Sequence, residues 1–186
     1  MENVIETLGK IKVVSSKIVA SDPCYELDIW CASVIDGVLN GNYNAYIETS
    51  NEGEWGKRVA KLRIIHEEYD GKVIPTEYDT SCAVDSGTFC LADHEYYAKH
   101  HENKLDEKWY DKNVCDMCDE DGWMVDDGCA ISSSGFGDGM YEVYIGREKN
   151  GYVVCAEVIF IDDEEEDEWD EEDDDECLGF REEWED

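Results

Sequence analysis

Proline occurs only twice in 186 residues, so no Pro-rich linker is available to divide the chain. Basic residues are scarce as well. Fifteen Lys and Arg stand against 49 Asp and Glu, a formal net charge of −34. A surface of that sign repels nucleic acid and anionic lipid and attracts cations or basic partners. No uninterrupted apolar run is long enough to span a bilayer as a helix. Met1 to Lys10 carries acids and lacks the apolar core of a secretory signal. Internal repeats at a fixed period are missing.

What remains is the composition of a globular protein. The apolar fraction is 42%, with six Trp and eleven Tyr, and a chain of this length suggests one domain with a real hydrophobic core. Nine cysteines form an odd count. With no secretory signal, the expectation is a cytoplasmic protein with free, mostly buried thiols. The charge is unevenly spread. Residues 162–186 carry 18 Asp and Glu against one Arg, and residues 1–161 carry 31 acids against 14 bases. Each part therefore holds half of the net charge. The composition predicts a domain over 1–161 and an acidic, disordered tail over 162–186.

The domain reads as mainly β. The stretch Gly128 to Ile161 contains three β-runs separated by Asp138-Gly139 and Asn150-Gly151, dipeptides that supply the positive-φ positions of tight hairpins. Its last run, Tyr152 to Ile161, is apolar on both faces apart from Glu157, which predicts a central strand. Upstream, Ile11 to Ala20 reads as one strand ending at Ser21-Asp22-Pro23. A second strand is expected over Ile29 to Val38, with Tyr43 to Glu48 as its hairpin partner across Asn40-Gly41-Asn42. Val59 to His66 alternates and reads as a strand with a solvated edge, where Lys61 and Arg63 act as gatekeepers. Ser81 to Ala92 predicts two short strands with a bend at Ser86-Gly87. Asp93 to Glu107 is the best helix, capped by Asp93. Trp109 to Asp127 reads as an acidic loop. The fold class is a single-domain antiparallel sandwich or half-open barrel of about seven to nine strands, with one or two short helices.

The segment SSSGFGDGMYEVYIGRE, preceded by VDSGTFCLAD and IVASDPCY, resembles an uncharacterised family of bacteria and phages known only as a domain of unknown function. The carriers are Ser134 to Arg147, Val84 to Asp93 and Asp22-Pro23. The resemblance implies a shared domain over roughly residues 11–161. It implies no reaction, cofactor or site.

Several constellations suggest chemistry, each beside a plainer reading. Cys115-Asp116-Met117-Cys118 has zinc-knuckle spacing, but a structural site needs four ligands and no second CxxC exists. Two free thiols rank above zinc, and no cofactor is expected. Asp119, Asp121, Asp126 and Asp127 crowd one region without EF-hand spacing. Ser132 to Gly139 is glycine-rich but leads into a strand, not into the helix that a phosphate loop needs. His94, His100 and His101 read as surface histidines of a polar helix. Asp85, Asp93 and Asp138 could do acid–base work if folding brought them together, although Asp also suits the turns in which they lie. In the tail, Trp169, Phe180 and Trp184 punctuate acids such as Asp173, Asp174 and Asp175. Bulky apolar residues there suit an interface better than solvation.

The reading placed first is a small acidic binding protein, phage or mobile-element encoded, that engages and inhibits a basic host protein by charge mimicry of nucleic acid. It binds neither nucleic acid nor membrane. A small-ligand or nucleotide-binding module comes second, with a pocket holding bases such as Lys57, Arg58 or Arg147. A carboxylate-based hydrolase comes third. An enzyme is the less favoured class.

Overall fold

The computed structural model describes residues 3–162, apart from Asp28 and Asn103. In chain order its elements are β1 (Val4–Val13), β2 (Lys17–Ser21), β3 (Ser33–Asp36), β4 (Gly41–Asn51), β5 (Lys57–His66), β6 (Glu77–Val84), β7 (Thr88–Asp93), α1 (His94–His101), α2 (Glu107–Asn113), β8 (Gly122–Val125), β9 (Cys129–Ser133), β10 (Gly139–Arg147) and β11 (Val153–Ile159). The strands form two antiparallel sheets, ordered β1-β4-β5-β11-β10-β6 and β3-β2-β7-β9-β8. The architecture is a sandwich-like single domain and not a closed barrel.

Three layers follow from the side chains. Between the sheets lies the main core, with Ile11, Ile18, Tyr43, Ile47, Leu62, Phe89, Leu91, Val143 and Val158 among its residues. The far face of the five-stranded sheet holds a second core, where Tyr97, Trp109 and Trp123 cover Val19, Cys90, Cys129 and Ile131. Covering on both faces explains why every residue of β7 is buried, against the alternation expected of a one-sided strand. The outer face of the six-stranded sheet is polar. Its register sets Glu48 opposite Lys61, Tyr46 opposite Arg63, and Arg63 opposite Glu157, so cross-strand neighbours carry opposite charge.

Several sequence expectations change. Ile11 to Ala20 is two strands in two sheets, broken at Ser16, which adopts φ +57. Asp93 fixes the crossing by accepting hydrogen bonds from the Val14 and Ser15 amides at 2.9 and 3.0 Å. β4 pairs with β1 and β5 rather than with β3. β5 is internal, so Lys61 and Arg63 guard a face and not an edge. The run before Asp138-Gly139 belongs to the other sheet, and Ser134 to Gly139 crosses the sandwich instead of closing a hairpin. Gly135 and Gly137 take φ +60 and +105 there, and the Tyr141 hydroxyl donates to the Ser134 and Gly137 carbonyls at 3.0 and 2.7 Å. The Asn150-Gly151 hairpin and the internal position of β11 are as expected. So is the bend at Gly87, although β6 and β7 also lie in different sheets. Among the described residues there are eleven strands, more than anticipated, because crossings split runs that look continuous. The region after Asp106 contains α2, with the Asp106 carboxylate accepting from the Trp109 amide at 3.2 Å. No helix among the described residues is long and apolar enough to cross a membrane.

Candidate interaction surface

Asp22, the Asp85 to Gly87 bend and Ser134 meet at one corner. Asp22 is fully buried and collects donors from the bend. Its Oδ2 accepts from the Asp85 and Ser86 amides at 2.8 and 2.7 Å, and its Oδ1 from Ser86 Oγ and the Cys24 amide at 2.7 and 2.8 Å. Asp85 accepts from the Tyr25 hydroxyl. Ser134 joins where its amide donates to the Gly87 carbonyl at 3.0 Å. Sequence reasoning saw Asp22 only as a turn residue. Its role needs a long-range partner that local pattern does not reveal.

The three carboxylates that could have formed an acid–base site are placed apart or engaged. Asp93 ends β7, and Asp85 precedes its start, so the strand separates them by about 20 Å at ~3.3 Å per residue. Asp93 is buried, and its carboxylate accepts from Val14, Ser15, Glu95 and Tyr96 amides and from Ser15 Oγ. That set caps α1 and locks the strand crossing. Asp138 lies in the Ser134 to Gly139 crossing, near the Gly87 bend, where Gly137 approaches a Cβ built on Gly87 to 4.0 Å.

Cys115 and Cys118 are exposed on a 3₁₀ turn after α2. Burial, then the neighbouring Asp111 carboxylate, pushes the Cys115 thiol up, the reverse of an activated nucleophile. Among the described residues no group of three His, Cys, Asp or Glu side chains is arranged to hold a metal ion. Burial also pushes the Cys24 thiol far up, with Asp22 adding to it.

The histidines are not all surface groups. His101 is fully buried. It stacks on Tyr97 at 4.3 Å and meets Trp109 edge-on at 4.8 Å, while its Nε2 lies 3.1 Å from the Pro23 carbonyl. Burial pulls its pKa below the usual histidine value. Tyr97 and His101 sit four residues apart on the face of α1 that packs on the sheet, which the polar composition of that helix hid.

Several of the bases pair with acids. Lys57 reaches both Glu6 and Asp121, at 3.1 and 2.7 Å. Arg147 pairs with Glu77 through two nitrogens. Arg63 pairs with Glu157, whose charge holds the guanidinium up against the opposing pull of burial. Lys10, Lys17, Lys61 and Lys104 have acidic partners too. A cavity of about 140 Å3 on the outer face of the large sheet is lined by Tyr46, Lys61, Arg63, Glu48, Asp70 and Glu157. Lys57 and Arg147 lie elsewhere, and neither they nor Arg58 line it.

At one end of the sandwich the surface becomes apolar. Trp55, between β4 and β5, is 70% exposed, and Phe136, between β9 and β10, is 57% exposed. Their rings meet edge to face at 6.5 Å. Neither position was singled out from sequence. The available signal was a bulky residue set among glycines in a turn, with no strand pattern to bury it. The chain leaves β11 at this same end, because Ile159 pairs with Lys61 near the start of β5. The tail positions Trp169, Asp173, Asp174, Asp175, Phe180 and Trp184 lie outside the described residues.

No curated protein and no solved structure matches the chain at a significant level. Residues 11–158 match the sequence profile of a family described as "Protein of unknown function (DUF4241)". That span contains both sheets' central strands and all three segments of the corner, and the chain belongs to this family.

Proposed function

We propose that the protein is an acidic binding module that engages a basic protein and inhibits it by presenting a nucleic-acid-like field. The excess of acids over bases carries this reading. Lys57, Arg63 and Arg147 are drawn into ion pairs within the chain. The surplus of 31 acids over 14 bases in residues 1–161 is then available to a partner, and the acids of 162–186 add to it. Charge of one sign at this density raises association rates with an opposite surface, and salt screens it within about 8 Å at physiological ionic strength.

The test is capture with the full chain at low salt, elution at high salt, and assay of the eluted partner. The expected partner is basic, is released by salt, and loses nucleic-acid binding when the chain is added. A neutral partner, or one whose binding ignores salt, would overturn the reading.

A small-ligand module is the second reading, supported by the cavity that holds Tyr46, Lys61 and Arg63. There a carboxylate or phosphate ligand must compete with Glu48 and Glu157 for both cations. Thermal shifts with a nucleotide panel separate the two readings.

A further inference from the structure

Three observations converge on the end of the sandwich where Trp55 and Phe136 project. The first is the exposed aromatic pair itself. Rings of this size, set edge to face in water, are the kind of anchor that dominates binding energy at interfaces. The second is a groove of about 310 Å3 next to it, lined by Met140, Tyr141, Ile159 and Phe160, with the Glu142 and Asp162 carboxylates also on its lining. Met140 is 56% exposed. The Ser134 to Gly139 crossing joins the two features. A Cβ on Gly135 would touch Phe160 at 3.0 Å and Ile161 at 3.2 Å, while the next residue, Phe136, meets Trp55. The third observation is where the described chain ends. Asp162 lines this groove, and the sequence continues over residues 163–186 with 17 further acids and three aromatic residues.

We infer that the Trp55–Phe136 pair and the Met140–Ile159–Phe160 groove form the docking surface for a Lys/Arg-rich segment of a protein partner. This rests on the reading of the protein as an acidic binding module, and it adds the place and the chemistry of contact. A largely polar groove in which Met140 and Ile159 lie beside carboxylates suits a long basic side chain, whose methylene stem lies on Met140 and Ile159 while its charged head reaches Glu142. An exposed indole offers a guanidinium its ring face. Competing occupants meet the wrong sign. Nucleic acid is repelled. A second copy brings another charge of −34, and the chain's own residues 163–186 bring acid to acid. Only a basic segment gains from both the Met140 and Ile159 side chains and the field.

The experiment uses the full chain with ¹³C-methyl methionine and a synthetic peptide of alternating Arg and Leu, beside the same peptide with Glu for Arg. The expected result is a shift of the Met140 methyl resonance, assigned by Met140→Leu, with the buried-side Met124 unmoved and no response to the Glu peptide. Trp55→Ser with Phe136→Ser weakens the Arg peptide at least tenfold, mainly by faster dissociation, and leaves the slope of affinity against salt unchanged. Both side chains are exposed, so the melting temperature stays near that of the parent, which guards against a folding artefact. Equal binding by the double variant, or a Met140 signal that stays still while the peptide binds, overturns the docking surface and leaves the charge-based reading standing. A dimer in solution that the double variant abolishes makes this end a self-interface and also overturns it. Failure of any basic peptide to bind at low salt defeats both readings.

Discussion

Replacing Asp93 distinguishes a structural carboxylate from a catalytic one. The side chain is 1% exposed and serves two places at once. Oδ1 accepts from the Glu95 and Tyr96 amides at 3.0 and 3.2 Å, which caps α1. Oδ2 accepts from the Val14 and Ser15 amides and from Ser15 Oγ at 2.9, 3.0 and 2.7 Å, which holds the crossing from β1 to β2. Losing an N-cap costs about 1 kcal/mol. Bonds to a charged group contribute ~1.5–3 kcal/mol each, less where the donors can rehydrate, and Val14 is exposed. The clamp is therefore worth about 2–3 kcal/mol, and Asp93→Ala should destabilise by roughly 3–4 kcal/mol. For a domain of this size that corresponds to a melting temperature lower by about 10 °C. Asp93→Asn separates the two roles. Its amide oxygen can still cap the helix, but its NH₂ faces two N–H donors, so it should lose most of the clamp and keep the cap, about 2–3 kcal/mol in all. Urea titration with a fixed m-value measures both. If Asn is within about 0.5 kcal/mol of the parent, the clamp carries no energy and the structural account of Asp93 is wrong.

Val154→Asp places a charge in a fully buried position of the internal strand β11 and should cost several kcal/mol; an unchanged melting temperature contradicts that placement. Alkylation of the native protein followed by peptide mapping should label Cys115 and Cys118 well before Cys82, Cys90, Cys129 and Cys155, since the first two are exposed and the rest buried, and burial raises the Cys82 and Cys155 thiols to about 12. Rapid labelling of Cys90 or Cys129 would show that the sheet under α1 opens. His101 is held below its usual pKa by burial, so the unfolded chain takes up the proton first; stability from this residue is complete above about pH 6.5 and falls as pH drops below it. His101→Gln should therefore reduce the difference in stability between pH 7 and pH 5, whereas an equal difference in both proteins would assign that pH dependence to other groups.

Much of the fold was legible because it depends on local pattern. The Asn150-Gly151 turn needs only its dipeptide, and β11 announces itself as an apolar run with a single acid, Glu157. What the sequence concealed was which sheet each run joins. Ile11 to Ala20 is β-branched throughout, yet the chain turns at Ser16 because a carboxylate 79 residues from Val14 waits to bind the freed amides. Ser134 to Gly139 resembles a hairpin turn in composition, and it becomes a crossing because Tyr141 ties its carbonyls from the next strand. α2 was hidden for another reason. Its acids and lysines mask the single buried Trp109 that fixes it to the sheet.

The same long-range contacts explain why a resemblance to a family says so little about activity here. Asp22, the Asp85-Ser86-Gly87 bend, Asp93 and the Ser134 to Gly139 segment lie within the span shared with the family, and each of them binds backbone amides or carbonyls where the chain passes from one sheet to the other. Two sheets packed face to face leave their crossing segments short of strand partners, and buried amides must then find acceptors in side chains. Asp22 and Asp93 are those acceptors, and their oxygens are occupied. The burial and bonding of Asp22 and Asp93 are thus accounted for by the demands of the sandwich. The exposed residues that the frame does not use include Trp55 and Phe136 in the loops it holds and Met140 at the start of β10. These residues gather at one end of the sandwich, beside the corner built around Asp22, and that end is where the proposed partner is expected to dock.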